Sequence, residues 1–252
     1  MARLTLTTLD DFPLVNPGDD LANLVAKGLA RQQVALSRGD VVVIAQKIVS
    51  KAEDRFRNLA DITPGQDALD LAEETEKDPR LVQAILDEST EVVRKRKGVL
   101  VVRHRCGWVM AQAGIDQSNV EGSENGALLL LPIDPDASAA RLRAALLERL
   151  DVPLGVVIAD SFGRPFRNGT TGVAIGAAGV TSFMDIRGER DLYGRELKVS
   201  TVAHADELAS AASLLMGQGN EGCPVVLVQG LAPSREVPAA SLIRPLEDDL
   251  FR

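Results

Sequence analysis

Residues 156–180 read VVIADSFGRPFRNGTTGVAIGAAGV. Val156, Val157, Ile158 and Ala159 form an apolar run of strand length, with no polar face. That is the pattern of a strand buried on both sides. The run stops at Asp160 and Ser161. A turn-rich segment follows, holding Arg164, Arg167 and the series Asn168-Gly169-Thr170-Thr171-Gly172, and then a second apolar run begins. Open α/β sheets hold ligands where a buried strand delivers polar groups to its carboxyl end. An acid, two guanidinium groups and several glycines suit a phosphate held by a metal and by backbone N–H groups. A hairpin turn with solvated charges is the competing reading, because Gly, Asn and Asp are ordinary turn residues.

The chain around this stretch has 252 residues, 45% apolar and 3% aromatic. It is long enough for a sizeable core, which must be built of Val, Leu, Ile and Ala. So few aromatics argue against stacking platforms for single-stranded nucleic acid. The net charge of −8 argues against non-specific binding to nucleic acid or anionic membrane. An anionic ligand therefore needs local cations or metals. The amino terminus, MARLTLTTLDDFPLV, lacks a cationic-then-apolar signal pattern. No apolar run approaches the roughly 20 residues that span a bilayer. Cys106 and Cys223 lie far apart without metal-ligand spacing, so reduced thiols in a cytoplasmic protein are expected.

Outward from residues 156–180, the pattern predicts strands near 4–8, 41–45, 99–103, 107–111, 127–131, 197–203 and 225–228. It predicts helices near 20–37, over 67–77, over 79–97, over 135–151 and over 205–216, the last stopped by Gly217. Residues 231–252 hold three prolines and many charges and are expected to wrap the surface or a partner. The strand VVVIA at 41–45 leads to Gln46, Lys47 and Lys51. These lysines are either edge charges or contacts to phosphate oxygens. Asp116, in the loop GIDQSN at 114–119, either caps a turn or ligates a metal, with Asn119 then on a nucleotide.

Several familiar sites are excluded. There is no Gly-x-x-x-x-Gly-Lys-Ser/Thr phosphate loop. Asp160-Ser161-Phe162-Gly163 is not the kinase Asp-Phe-Gly, because a serine intervenes. Ser161 lacks the glycines of a nucleophile elbow. His104, His204 and the two cysteines fall in four separate regions, which disfavours zinc. Oxygen ligands are the better supply and suit magnesium or manganese.

Five blocks, taken together and in order, resemble the coenzyme F420-0:gamma-glutamyl ligases. They are FPLVNPGDD (12–20), GDVVVIAQKIVSK (39–51), GIDQSN (114–119), DSFGRPFRNGTTG (160–172), and ADELA (205–209) continuing to MGQGNEG (216–222). The resemblance implies a GTP-dependent ligase that joins L-glutamate to coenzyme F420-0 and then adds gamma-linked glutamates through an acyl phosphate. It implies two divalent ions (Mg2+ or Mn2+), K+, and an intertwined homodimer. The implied fold is mixed α/β (α+β), a single ligase domain over 1–252 with two interleaved subdomains and no nitroreductase-like domain after it.

Carried over residue by residue, Asp116 and Asp160 look like ligands of the first metal, and Ser161 and Gln218 of the second. Phe12, Pro13, Leu14, Val15, Gln46, Lys47, Lys51 and Asn119 resemble nucleotide contacts. So does the loop of Met216, Gly217, Gln218, Gly219, Asn220, Glu221, Gly222 and Cys223. Phe12 replaces the leucine expected there, which matters little if backbone alone makes that contact. Arg164 and Arg167 are assigned to substrate carboxylate or phosphate, because a guanidinium fork matches such oxygens. A related ligase acting on another acid, and a non-catalytic metal–GTP module, stay open as alternatives.

Overall fold

A computed structural model describes residues 3–233 and 235–250. The first strand, β1 (Thr5–Thr8), precedes helix α1 (Leu21–Gln32). Asp20 caps that helix by accepting from the Asn23 N–H, and Gln33 ends it in a left-handed conformation, short of the expected residue 37. Next come β2 (Val41–Ala45) and, with no residue between, α2 (Gln46–Ala52). Lys47 and Lys51 therefore stand on a helix rather than at a strand end.

The chain then makes a long excursion: β3 (Phe56–Asn58), α3 (Gln66–Thr75), α4 (Pro79–Asp87), β4 (Ser89–Arg96), β5 (Val99–His104), β6 (Val109–Ala111) and β7 (Ala127–Leu129). It starts and finishes at one point, where Leu130 N–H donates to Arg55 O at 3.0 Å. The single helix expected over 79–97 is corrected. Helix α4 stops at Asp87, and the charged segment after it is a strand paired antiparallel with β5. Two facts explain the change. Thr90, Val92 and Val93 are β-branched, which favours a pleat. Lys97-Gly98, with Gly98 at φ 77°, supplies a two-residue hairpin turn.

The remaining elements are α5 (Pro135–Leu150), β8 (Gly155–Arg164), β9 (Arg167–Ala178), β10 (Met184–Asp185), β11 (Thr201–Val202), α6 (His204–Met216) and β12 (Val225–Gln229). The strand expected over 197–203 is reduced to Thr201–Val202. Among the described residues after Leu231, there are two short 3-10 turns and no longer element. Residues 160–172 are not a turn-rich loop. Strand pairing runs through Asp160↔Val173, Ser161↔Gly172 and Phe162↔Thr171 out to Arg164↔Arg167, leaving Pro165 and Phe166 as the turn. The apolar run marked only the buried half of a strand whose outer half is an exposed arm.

The central sheet has the order β1-β12-β2-β8-β9, with β2 and β8 its parallel pair. Alternate side chains feed two cores. Val42, Ile44, Val156 and Ile158 pack with Val25 and Leu29 of α1 and Leu142 and Leu146 of α5. Val41, Val43 and Val157 pack with Ala205, Leu208, Ala209 and Ala212 of α6 on the other face. Both faces are covered, so the strands read as unbroken apolar runs. The excursion carries separate apolar clusters around Ile85, Leu100 and Val102 and around Ile62 and Leu128. The fold is thus mixed α/β.

Candidate active site

The parallel pair sets the site. Its last rung is Ala45↔Ala159, so the next residues on the two chains are Gln46 and Asp160. Helix α2 starts at once after β2 and turns Gln46 and Lys47 toward the excursion. Asp116 is brought back to them by a two-hydrogen-bond bridge with Leu129: Asp116 N–H donates to Leu129 O at 2.9 Å and Leu129 N–H to Asp116 O at 3.0 Å. Its side chain then meets α2. Gln46 Nε2 donates to Asp116 Oδ2 at 2.7 Å, and Lys47 Nζ lies 3.1 Å from Asp116 Oδ1. Lys47 also donates to Ser118 O at 3.1 Å.

Asp160 is half-buried, and Ser161 N–H donates to its Oδ1 at 2.8 Å. Burial, then the negative charge of Asp116, push its carboxyl up to about 7, against that hydrogen bond and Lys47. Neighbouring carboxylates resist ionising together unless a cation joins them. Burial, and then the Lys47 charge, push the Lys51 ammonium below the usual lysine range.

The loop after α6 closes the far side. Ser161 Oγ donates to Gln218 Oε1 at 2.8 Å, and Asn119 Nδ2 donates to Gly219 O at 3.0 Å. Glu221 folds back to accept from Gly219 N–H at 2.8 Å. Its carboxyl is held below the usual range by backbone N–H groups of the loop. Asp116, Asp160, Ser161, Gln218, Gln46, Lys47 and Asn119 thus gather where β2 ends, midway along β8, with Lys51 one helical turn beyond Lys47. The donor set is two acids, a hydroxyl and an amide oxygen. Among the described residues, no three His, Cys, Asp or Glu side chains share one point.

Other expected residues stand apart. Phe12 packs on the main core and Val15 is buried, while Leu14 is exposed. No side-chain bond ties these residues to the carboxylates; the loop meets α2 where Gly18 N–H donates to Ala52 O at 3.0 Å. Met216 ends α6, Gly217 follows it at φ 70°, and Asn220 and Gly222 are exposed. Cys223 Sγ contacts Glu221 O at 3.5 Å. Arg164 and Arg167 sit out on the hairpin arm. They line a cavity of about 490 Å³ with Thr171, Asp206 and Ser210, and neither Asp116 nor Asp160 borders it. Two participants escaped the sequence reading. Ser50 is buried beneath Gln46, donating to Gln46 Oε1 at 2.9 Å. Asp206 accepts from Ala174 N–H at 2.8 Å. Reading residues 46–52 as a helix would have revealed Ser50, four residues after Gln46.

Fold and site together define a mixed α/β protein with oxygen donors gathered at the carboxyl end of a parallel strand pair. The model of the family described as F420-0:Gamma-glutamyl ligase matches residues 11–230. The coenzyme F420:L-glutamate ligase of Methanothermobacter thermautotrophicus is 46% identical over 252 residues, covering 99% of each chain. That of Methanopyrus kandleri is 46% identical over 260 residues, 100% of each, and that of Archaeoglobus fulgidus 42% over 250 residues, 99% of this chain and 97% of its own. The chain belongs to the F420-0:gamma-glutamyl ligase family and is a ligase enzyme.

Proposed function

We propose that this enzyme joins L-glutamate to coenzyme F420-0 at the expense of GTP and then extends the product with gamma-linked glutamates. Kinship to ligases named for coenzyme F420 and L-glutamate supports the substrates. One observation carries the chemistry. Gln46 and Asp160 follow the last rung of the parallel pair, Ala45↔Ala159, and Gln46 Nε2 donates to Asp116 Oδ2 at 2.7 Å, so two acids 44 positions apart in the sequence come to the same place.

A carboxylate does not react with an amine near neutral pH, because oxide would have to leave. Transfer of the GTP γ-phosphoryl group to the acceptor carboxylate breaks the bond to the β-phosphate, releases GDP and gives an acyl phosphate. The glutamate nitrogen then attacks the acyl carbon. The C–N bond forms, phosphate departs and a proton is lost. Phosphoryl transfer is mostly positioning and charge neutralisation, which suits a site without a nucleophile. Asp116, Asp160, Ser161 and Gln218 fit two hard divalent ions, Mg2+ or Mn2+, because their donors are all oxygens. Bound there, such ions would neutralise the triphosphate. Lys47 and Lys51 hold phosphate oxygens, Asn119 and the 216–223 loop hold the nucleotide, and residues 12–15 reach it through backbone. Arg164 and Arg167 take substrate carboxylate or phosphate oxygens at their cavity. K+ assists, and the enzyme works as a homodimer. No helix among the described residues is long and apolar enough to cross a membrane, and we place the reaction in the cytoplasm.

The test is the purified protein with coenzyme F420-0, GTP, L-glutamate and Mn2+. Mass spectrometry should reveal successive glutamyl additions with one GDP each. GTP binding with no product from this acceptor would remove the reading.

A further inference from the structure

The carboxylate of Asp116 is held by a two-step chain of hydrogen bonds that begins at Ser50. Ser50 is fully buried and Gln46 is 2% exposed. Ser50 Oγ donates to Gln46 Oε1 at 2.9 Å, and Gln46 Nε2 donates to Asp116 Oδ2 at 2.7 Å. Each direction is fixed by chemistry. An ionised carboxylate only accepts, so the amide must turn its NH2 group toward Asp116. Its oxygen then faces Ser50, whose hydroxyl supplies the hydrogen. Flipping the amide would set an oxygen against the carboxylate and leave the hydroxyl without an acceptor. Only one orientation satisfies all three groups.

Asp116 has a second partner, but not one that aims it. Lys47 reaches Oδ1 from a long side chain that is 24% exposed and divides its ammonium between Asp116 and Ser118. A flexible point charge attracts a carboxylate without orienting it.

We propose that Ser50 is a positioning residue. It locks the Gln46 amide and, through it, presents the Asp116 carboxylate to a divalent cation. The inference rests on the reading of Asp116 as a cation ligand given under Proposed function. Hydrogen-bond partners behind metal ligands typically matter by about 10- to 100-fold in affinity.

The test is Mn2+ binding to the full chain without nucleotide, followed by calorimetry. Ser50→Ala should weaken binding about 10-fold, and Ser50→Thr, which keeps the hydroxyl, should restore most of it. Gln46→Leu should weaken binding at least as much. Because Ser50 acts through Gln46, adding Ser50→Ala to Gln46→Leu should weaken it no further. A serine with a purely structural role would lower the metal-free unfolding temperature and leave the dissociation constant alone. That result, or an undiminished effect of Ser50→Ala in the Gln46→Leu background, would overturn the proposal. If Ser50→Ala does not fold, Ser50→Thr and Gln46→Leu decide, and equal Mn2+ affinity in wild type and Gln46→Leu is then fatal. Binding unchanged in Asp116→Asn would instead overturn the cation site itself, and this inference with it.

Discussion

Asp160 carries the largest electrostatic burden of any single side chain in the site. Its folded-state pKa of about 7 lies above its ordinary 3.8. Folding with this group therefore contributes stability that is complete below pH 3.8 and is lost as pH rises through about 7. In the metal-free protein that loss should reach a few kcal/mol, at about 1.4 kcal/mol per pKa unit. Asp160→Asn keeps an oxygen for the Ser161 N–H and removes the charge. Urea unfolding in chelator should find the variant more stable than wild type at pH 8 and no more stable at pH 4. Its turnover should fall at least 100-fold, with metal dependence shifted to higher concentration. Equal urea midpoints at pH 8 would contradict the burial argument.

Strand β9 owes its place to two glycines. A Cβ on Gly172 would lie 2.3 Å from Ala209 O of α6, and one on Gly176 would lie 2.3 Å from Pro135 O of α5. Both obstacles are backbone, so neither can swing aside. Gly172→Ala and Gly176→Ala should each destabilise by roughly 1–3 kcal/mol in denaturant melts, whereas Gly169→Ala, with no atom near but φ at 86°, acts only through backbone strain. Elements of this kind also mark how far the sequence could be read. Apolar runs such as VVVIA and VVIA declared buried strands, and Gly217 marked a helix end. The outer halves of β8 and β9 were illegible because strand pairing, not hydropathy, extends them. Strand β4 was illegible because its charges are as compatible with a helix face as with a solvated strand. Asp116 and Asp160 were legible through family resemblance and by type. Ser50 was not, since its role depends on a helix that begins without a break from β2.

At the scale of the whole molecule, the excursion is joined to the rest by a buried charge cluster. Glu88, 6% exposed, has Arg55 Nη2 at 3.3 Å and Arg105 Nη2 at 3.0 Å. His104 Nε2 lies 3.6 Å away, and its Nδ1 accepts from Cys106 N–H, which leaves the ring hydrogen pointing at Glu88. Burial raises the Glu88 carboxyl, but His104, Arg105 and Arg55 together hold it below the usual glutamate range. Its contribution is therefore present above the usual glutamate range and is lost as pH falls through that range to the lower folded-state value. Glu88→Gln takes the carboxylate from the part-buried Arg55 guanidinium and should cost about 1–3 kcal/mol in urea melts at pH 7. The hairpin arm makes a second molecular prediction. Phe166 at its turn is 90% exposed, and Leu192 and Tyr193 are also exposed. Light scattering should give about twice the 26.9 kDa chain mass, and Phe166→Asp should shift the population toward monomer.

The excursion leaves and rejoins the trunk at neighbouring residues, where Leu130 N–H donates to Arg55 O, and Trp108 and Met110 anchor it in the main core; it brings Asp116 to Gln46, beside the strand that carries Asp160. One jaw of the site is therefore mounted on a side branch and the other on the trunk. An ion gripped between them would serve as a clasp as well as a reagent, and loading or emptying the site would exert leverage on the whole excursion, far beyond the few residues of it that meet a ligand.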